Sequence, residues 1–269
     1  MKKILFPTDF SKAAKNGFQY AVALAADIGA TLDVMNVYTV PFTAIEDAPP
    51  DYFERLIEEQ HRISEEKLED FVKGIDADFK GERISVFGAF IPEEIIGQVK
   101  KNAYDLVVMG TKGERNALEK LVGSITTRTT MNAPCPVLAV PTNAQYKPIK
   151  KIAYASDFKP TDAVALQQLM TFTGQVGAKI SFVHVDTMPD IGEIKDTISL
   201  KNYPFEFTDF SIINSASVTE GIDGYIEENN VDMLALFIPK RRLWERLFHN
   251  SFSKKYTFHT HVPLLVFHQ

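Results

Sequence analysis

Apolar residues along this chain fall into short runs separated by amphipathic stretches. Ile4–Phe6 is one such run. Ala14, Phe18, Ala21, Val22 and Ala25 then recur at helical spacing across residues 11–28. A second run covers Leu32–Val37. Phe53, Leu56, Ile57, Ile63, Leu68 and Phe71 mark one side of a long helix over Tyr52–Val72. Ile84–Phe87, Leu106–Met109 and Val137–Val140 are three further apolar runs of strand length. Pro92 suits the first turn of a helix that ends near Asn102. Pro7 cannot donate to a strand ladder, so it marks where the first strand ends. Five strands alternating with helices imply right-handed crossovers and a parallel sheet covered on both faces.

The pattern then returns. "KKILFPTDF" at 2–10 matches "KKIAYASDF" at 150–158, and "IGATLDVMNV" at 28–37 matches "VGAKISFVHV" at 176–185, both at an offset of 148. "YDLVVMG" at 104–110 matches "VDMLALF" at 231–237, and "APCPVLAV" at 133–140 matches "THVPLLVF" at 260–267, now at an offset of 127. The second copy is therefore shorter by 21 residues in its middle. The missing piece is the long helix, and "TMPDIGEIKDTISLKNYP" at 187–204 reads as a loop or short helix. Copies of about 140 residues suit two domains, here 1–142 and 149–269, joined by the proline-containing, polar "PTNAQYKP" at 141–148.

Composition narrows the class only a little. A hydrophobic share of 45% is enough for a sizeable core, and a net charge of −6 argues against nucleic-acid or anionic-membrane partners. No apolar run reaches membrane-spanning length. Asp9 ends the first apolar stretch too early for a signal peptide. One cysteine, Cys135, excludes an internal disulfide framework and fits a reducing compartment, so a cytoplasmic location is expected. Apolar neighbours and the absence of a basic one mark Cys135 as a buried, inert thiol. His249, His259 and His261 lack the geometry and the cysteine company of a zinc site.

Chemistry concentrates in "MGTKGERNALEKLVGSIT", residues 109–126. Gly110 follows a strand, Gly113 follows three residues later, and Gly123-Ser124 opens the next helix. Glycines at a strand end let a ligand approach the backbone, and a helix start offers free N–H groups suited to phosphate. The spacing is neither a Walker A loop nor G-x-G-x-x-G. Turn formation and helix capping would use the same residues, and their types alone leave both readings open.

"GTKG", nine residues, then "GS" resembles the ATP-binding signature of the universal stress protein family. "KKILFPTDFS" and "PCPVLAV" resemble that family too, and the resemblance runs through both copies. It implies two tandem α/β domains, each a five-stranded parallel sheet of order 3-2-1-4-5, of the kind shared by adenine-nucleotide α-hydrolase-like (HUP) folds. It implies that Gly110, Gly113, Gly123 and Ser124 hold the phosphates of ATP, accompanied by Mg. It places Pro7, Thr8 and Asp9 against the nucleoside and Val37 on the adenine, with Thr111 and Ile125 completing the cofactor-binding set. Lys112 joins that set, with Arg115, on charge alone. Single-copy members of the family commonly pair, which implies an internal pseudo-dimer here with "PVLAV" and "PLLVF" as facing edges, and leaves room for a homodimer.

The second copy departs from this pattern. Gly110, Gly113 and Gly123 become Phe237, Lys240 and Asn250, and only Ser124 keeps its identity, as Ser251. Nucleotide is therefore expected in the first half alone. Asp9 survives as Asp157, and an aspartate just before a helix suits capping. The expected protein is a nucleotide-binding stress or regulatory protein with an unidentified protein partner, not an enzyme. A nucleotide-free structural protein and a weak ATPase are the alternatives.

Overall fold

The structure is a computed structural model that describes residues 1–40, 50–111, 124–156, 163–187, 209–238 and 262–268. Its described residues form two compact units, one ending at Tyr146 and one beginning at Lys147.

In the first unit the elements are β1 (Lys3–Pro7), α1 (Lys12–Ile28), β2 (Thr31–Tyr38), α2 (Pro50–Lys73), β3 (Arg83–Phe87), α3 (Ile91–Asn102), β4 (Leu106–Thr111), α4 (Ser124–Asn132) and β5 (Val137–Pro141). All strands pair in parallel, in the order β3-β2-β1-β4-β5. β1 lies at the centre, and Ile4, Leu5 and Phe6 are fully buried, as a strand covered on both faces requires. On one face Phe6 meets Phe18 of α1, which meets Phe71 of α2. On the other, Leu5, Met35, Val107 and Met109 pack with Ile95 and Val99 of α3. Each such side chain contributes roughly 1.5–3 kcal/mol by leaving water.

Local chemistry sets the helix ends. The Ser11 side chain accepts the Ala14 N–H and starts α1, and Gly29, at φ 64, closes it in the left-handed conformation. In α3, Glu93 and Glu94 sit near the positive end of the helix dipole and Lys100 and Lys101 near the negative end. Past β5, the chain stays fastened to α1: the Asn16 side-chain amide donates to the Pro141 and Ala144 carbonyls, and Tyr146 packs its ring on Tyr20 and bonds Asp27. The segment read as linker thus belongs, up to Tyr146, to the first unit.

The second unit contains β6 (Lys151–Ala155), α5 (Ala163–Val176), β7 (Lys179–Asp186), β8 (Phe210–Asn214), α6 (Val218–Glu228), β9 (Met233–Ile238) and β10 (Leu264–His268). Its strands are also parallel, in the order β8-β7-β6-β9-β10. β6 and β7 begin 148 residues after β1 and β2, whereas β8, β9 and β10 begin 127 after β3, β4 and β5. The change of register falls between β7 and β8, where the first unit has α2. The stretch 187–204, expected as a loop or short helix, lies outside the described residues apart from Thr187.

Small polar devices recur with the strands. The Asp105 carboxylate accepts the N–H groups of Lys2 and Lys3, and the Asp232 carboxylate accepts those of Lys150 and Lys151. Each aspartate precedes a fourth strand and ties it to the start of the central one.

Candidate functional site at the carboxyl edge of the first sheet

β1 and β4 are neighbours but pair only through Ile4–Leu106 and Leu5–Val107. Beyond that point β1 runs to Pro7 and β4 to Thr111, so the ladder between them opens toward the carboxyl edge. Strand order also reverses here, since β1 connects outward to β2 while β4 connects to β5. In open parallel sheets ligands occupy such a place.

The residues expected to hold a ligand gather at this edge where they are described. Pro7 is the last residue of β1. Thr8 is buried; its N–H donates to the Met35 carbonyl and its hydroxyl accepts the Phe10 N–H. Asp9 is exposed. Val37, near the end of β2, and Ile125, in the first turn of α4, are half-buried against the Met35, Met109 and Ile95 cluster. They form an apolar wall beside the opening. Ser124 is the first residue of α4. Lys112, Gly113, Arg115 and Gly123 lie outside the described residues.

Three of these residues have structural contacts of their own. Asp9 does not cap α1. Ser11 does, and the Asp9 carboxylate instead accepts the Ser11 N–H at 3.0 Å, a local turn two residues before the cap. Gly110 sits inside β4, opposite Val140 of β5. A β-carbon there would stand 2.2 Å from the Ala13 carbonyl oxygen, and one on Gly17 would stand 2.7 Å from the Gly110 Cα. The close crossing of α1 over β4 therefore demands glycine with or without a ligand. Thr111 turns its hydroxyl to the Val140 carbonyl and offers its own carbonyl to the Thr142 hydroxyl, which anchors the β4 exit to β5.

Sequence reading missed three residues of this edge. Asn36 in β2 donates its side-chain amide to the Thr8 carbonyl at 2.8 Å. Ser64 of α2 donates to the Asn36 side-chain oxygen, and Ser85 of β3 donates to Ser64, each at 2.8 Å. An asparagine inside the otherwise apolar "VMNV" was the only legible signal. Away from the edge, burial pushes the Cys135 thiol up to about 12, with the Asp105 charge adding to the effect, so it stays protonated and inert as expected. Among the described residues no cluster of side chains could hold a metal ion, and no helix is long and apolar enough to cross a membrane.

An open parallel sheet of this order, covered by helices, defines a doubly wound α/β class. The universal stress protein family model matches residues 1–141. The universal stress protein MJ0577 of Methanocaldococcus jannaschii is 30% identical over 161 residues, covering 52% of this chain and 94% of its own length. MJ0531 of the same organism is 28% identical over 143 residues, covering 52% and 81%. A solved universal stress protein from Archaeoglobus fulgidus superposes with a TM-score of 0.71 at 19% identity, over 98% of this chain and 97% of that one, a likeness of fold. The chain belongs to the universal stress protein family.

Proposed function

We propose that the first unit binds an adenine nucleotide, ATP with a magnesium ion, and that binding rather than turnover is its function. The observation that carries this reading is the opening between β1 and β4, flanked by the strand-exit loop at Thr8–Asp9 and by the start of α4 at Ser124. The spacing of Gly110, Gly113 and Gly123-Ser124 supports it, because a glycine loop leading into a helix presents unpaired N–H groups to phosphate. Val37 and Ile125 supply the apolar wall a purine ring needs. Nucleotide then engages the segment between β4 and α4 and changes a surface that a protein partner reads. The second unit is a shortened copy of the same domain that has lost the nucleotide, in a cytoplasmic protein.

Labelled ATP tests the site directly. Gly113→Val and Gly123→Val are each expected to weaken binding at least tenfold, the equivalent of about 1.4 kcal/mol. Wild-type affinity in both variants would refute the assignment. A nucleotide-free structural role is the second reading, favoured by the tight α1–β4 crossing, which accounts for Gly110 without any ligand. Native mass spectrometry separates the two: co-purifying adenine nucleotide supports the first reading, its absence together with no ATP uptake supports the second.

A further inference from the structure

The loop that leaves β1 is held from beneath by a buried relay. Asn36 and Ser64 are 8% and 2% exposed, and Thr8 is 7% exposed. Ser85 donates to Ser64, Ser64 to the Asn36 oxygen, and the Asn36 amide to the Thr8 carbonyl. The relay joins β3, α2 and β2 to the residue just before Asp9. Above it the loop is wound tightly. Phe10 holds φ 62, a left-handed conformation that a non-glycine residue adopts only at a steric cost. Its N–H donates to the Thr8 hydroxyl, its ring meets Phe71 of α2, and Asp9 accepts the Ser11 N–H. A strained loop persists only where its surroundings over-determine it.

The second unit supplies an independent view of the same device. Residue 184 corresponds to 36 and residue 156 to 8 at the offset of 148. The His184 Nδ1 bonds the Ser156 carbonyl at 2.9 Å, as the Asn36 amide bonds Thr8. Ser156 N–H donates to the Val183 carbonyl, as Thr8 N–H does to Met35. Two different side chains thus meet one requirement, a nitrogen donor aimed at the carbonyl that ends the first strand of the unit.

We propose that Asn36 is a positioning residue: its amide fixes the Thr8–Ser11 loop so that Asp9 is presented at the ligand edge in a preset geometry. Asn36 lies on the α2 side of the sheet, opposite the Val37 wall, so it acts through the loop without touching ligand. The proposal rests on the nucleotide reading for its effect on affinity, but not for its effect on the loop. Preorganisation of this kind strengthens binding by lowering the ordering cost.

Two measurements on the full chain test it. In Asn36→Ala, amide hydrogen exchange at Phe10 and Ser11 rises in ligand-free protein, and ATP affinity falls about five- to tenfold, the usual effect of one neutral hydrogen bond. Asn36→His, combined with Ser64→Ala to admit the larger ring, restores both values. Leu68→Ala, a fully buried change on α2, lowers the melting temperature but leaves both values unchanged. Unchanged exchange in Asn36→Ala, or no recovery with histidine, overturns the proposal. If wild-type protein takes up no ATP, the nucleotide reading falls, and exchange alone decides the role of Asn36.

Discussion

The two units share a strand order and differ where helix meets sheet. In the first, Gly17 and Gly110 let α1 cross β4 almost backbone to backbone. At the matching places the second unit carries Ala165, buried, and Phe237, half-buried in β9 beside Phe267. Among the described residues α1 lies chiefly on β4, and α5 touches β10. The connecting chemistry did not diverge with it. Gly29 and Gly177 both close their helices at positive φ, 64 and 69. Ala30 N–H reaches the Ala25 carbonyl as Ala178 N–H reaches that of Thr173. Strand order and turn geometry thus tolerate a change of packing that the close crossing itself does not. Backbone conformations depend on a few residues, whereas interior packing resists even a single added methyl group.

The largest expected effects test this contrast. Gly110→Ala places its β-carbon against the Ala13 carbonyl, a backbone atom that cannot rotate away, and should destabilise the first unit by about 3 kcal/mol in denaturant unfolding. Gly110→Phe, which imports the second unit's residue, should abolish folding of the first unit. Phe237→Gly, the reverse exchange, should cost about 2 kcal/mol through lost burial and leave ATP stoichiometry unchanged. A Gly110→Ala protein with the wild-type midpoint would show that the crossing has slack.

Next in size is the start of α1. Ser11→Ala should cost about 1 kcal/mol, and Asp9→Ala clearly less, because serine holds the cap and aspartate only the preceding turn. Thermal melts of the two variants rank them, and an equal or reversed order would restore the cap to Asp9.

The smallest effect concerns Asp232. Burial raises its carboxyl, but bonds from Lys147 and from the Lys150 and Lys151 amides outweigh this and hold it below the usual carboxylate value. A group lowered in the folded state stabilises above its ordinary value, and that contribution is lost as pH falls through the folded value. Asp232→Asn should therefore flatten the loss of stability below about pH 4 and lower stability slightly at pH 7. Parallel acid titrations of the two proteins would reveal it, and coincident slopes would contradict it.

Strand alternation, the five apolar runs and the two offsets were legible because each is a local or periodic property. Pro7 at a strand end and Ser124 at a helix start were legible for the same reason. The cap of α1 was misread by two residues, since Asp9 and Ser11 both suit the role and only the path of the chain chooses between them. Gly17 and Gly110 lie far apart in sequence, and nothing in either neighbourhood announces their meeting. Asn36, Ser64 and Ser85 are equally scattered, ordinary polar residues until β2, α2 and β3 converge.

By itself the amino-acid order determined the element sequence and the doubled pattern, because periodicity and turn chemistry act over a few residues. Only the tertiary structure decided that Gly110 answers to a helix, that Ser11 is the cap, and that Asn36 braces the loop bearing Asp9. Those outcomes depend on contacts between distant segments, and such contacts exist only once the sheet has assembled.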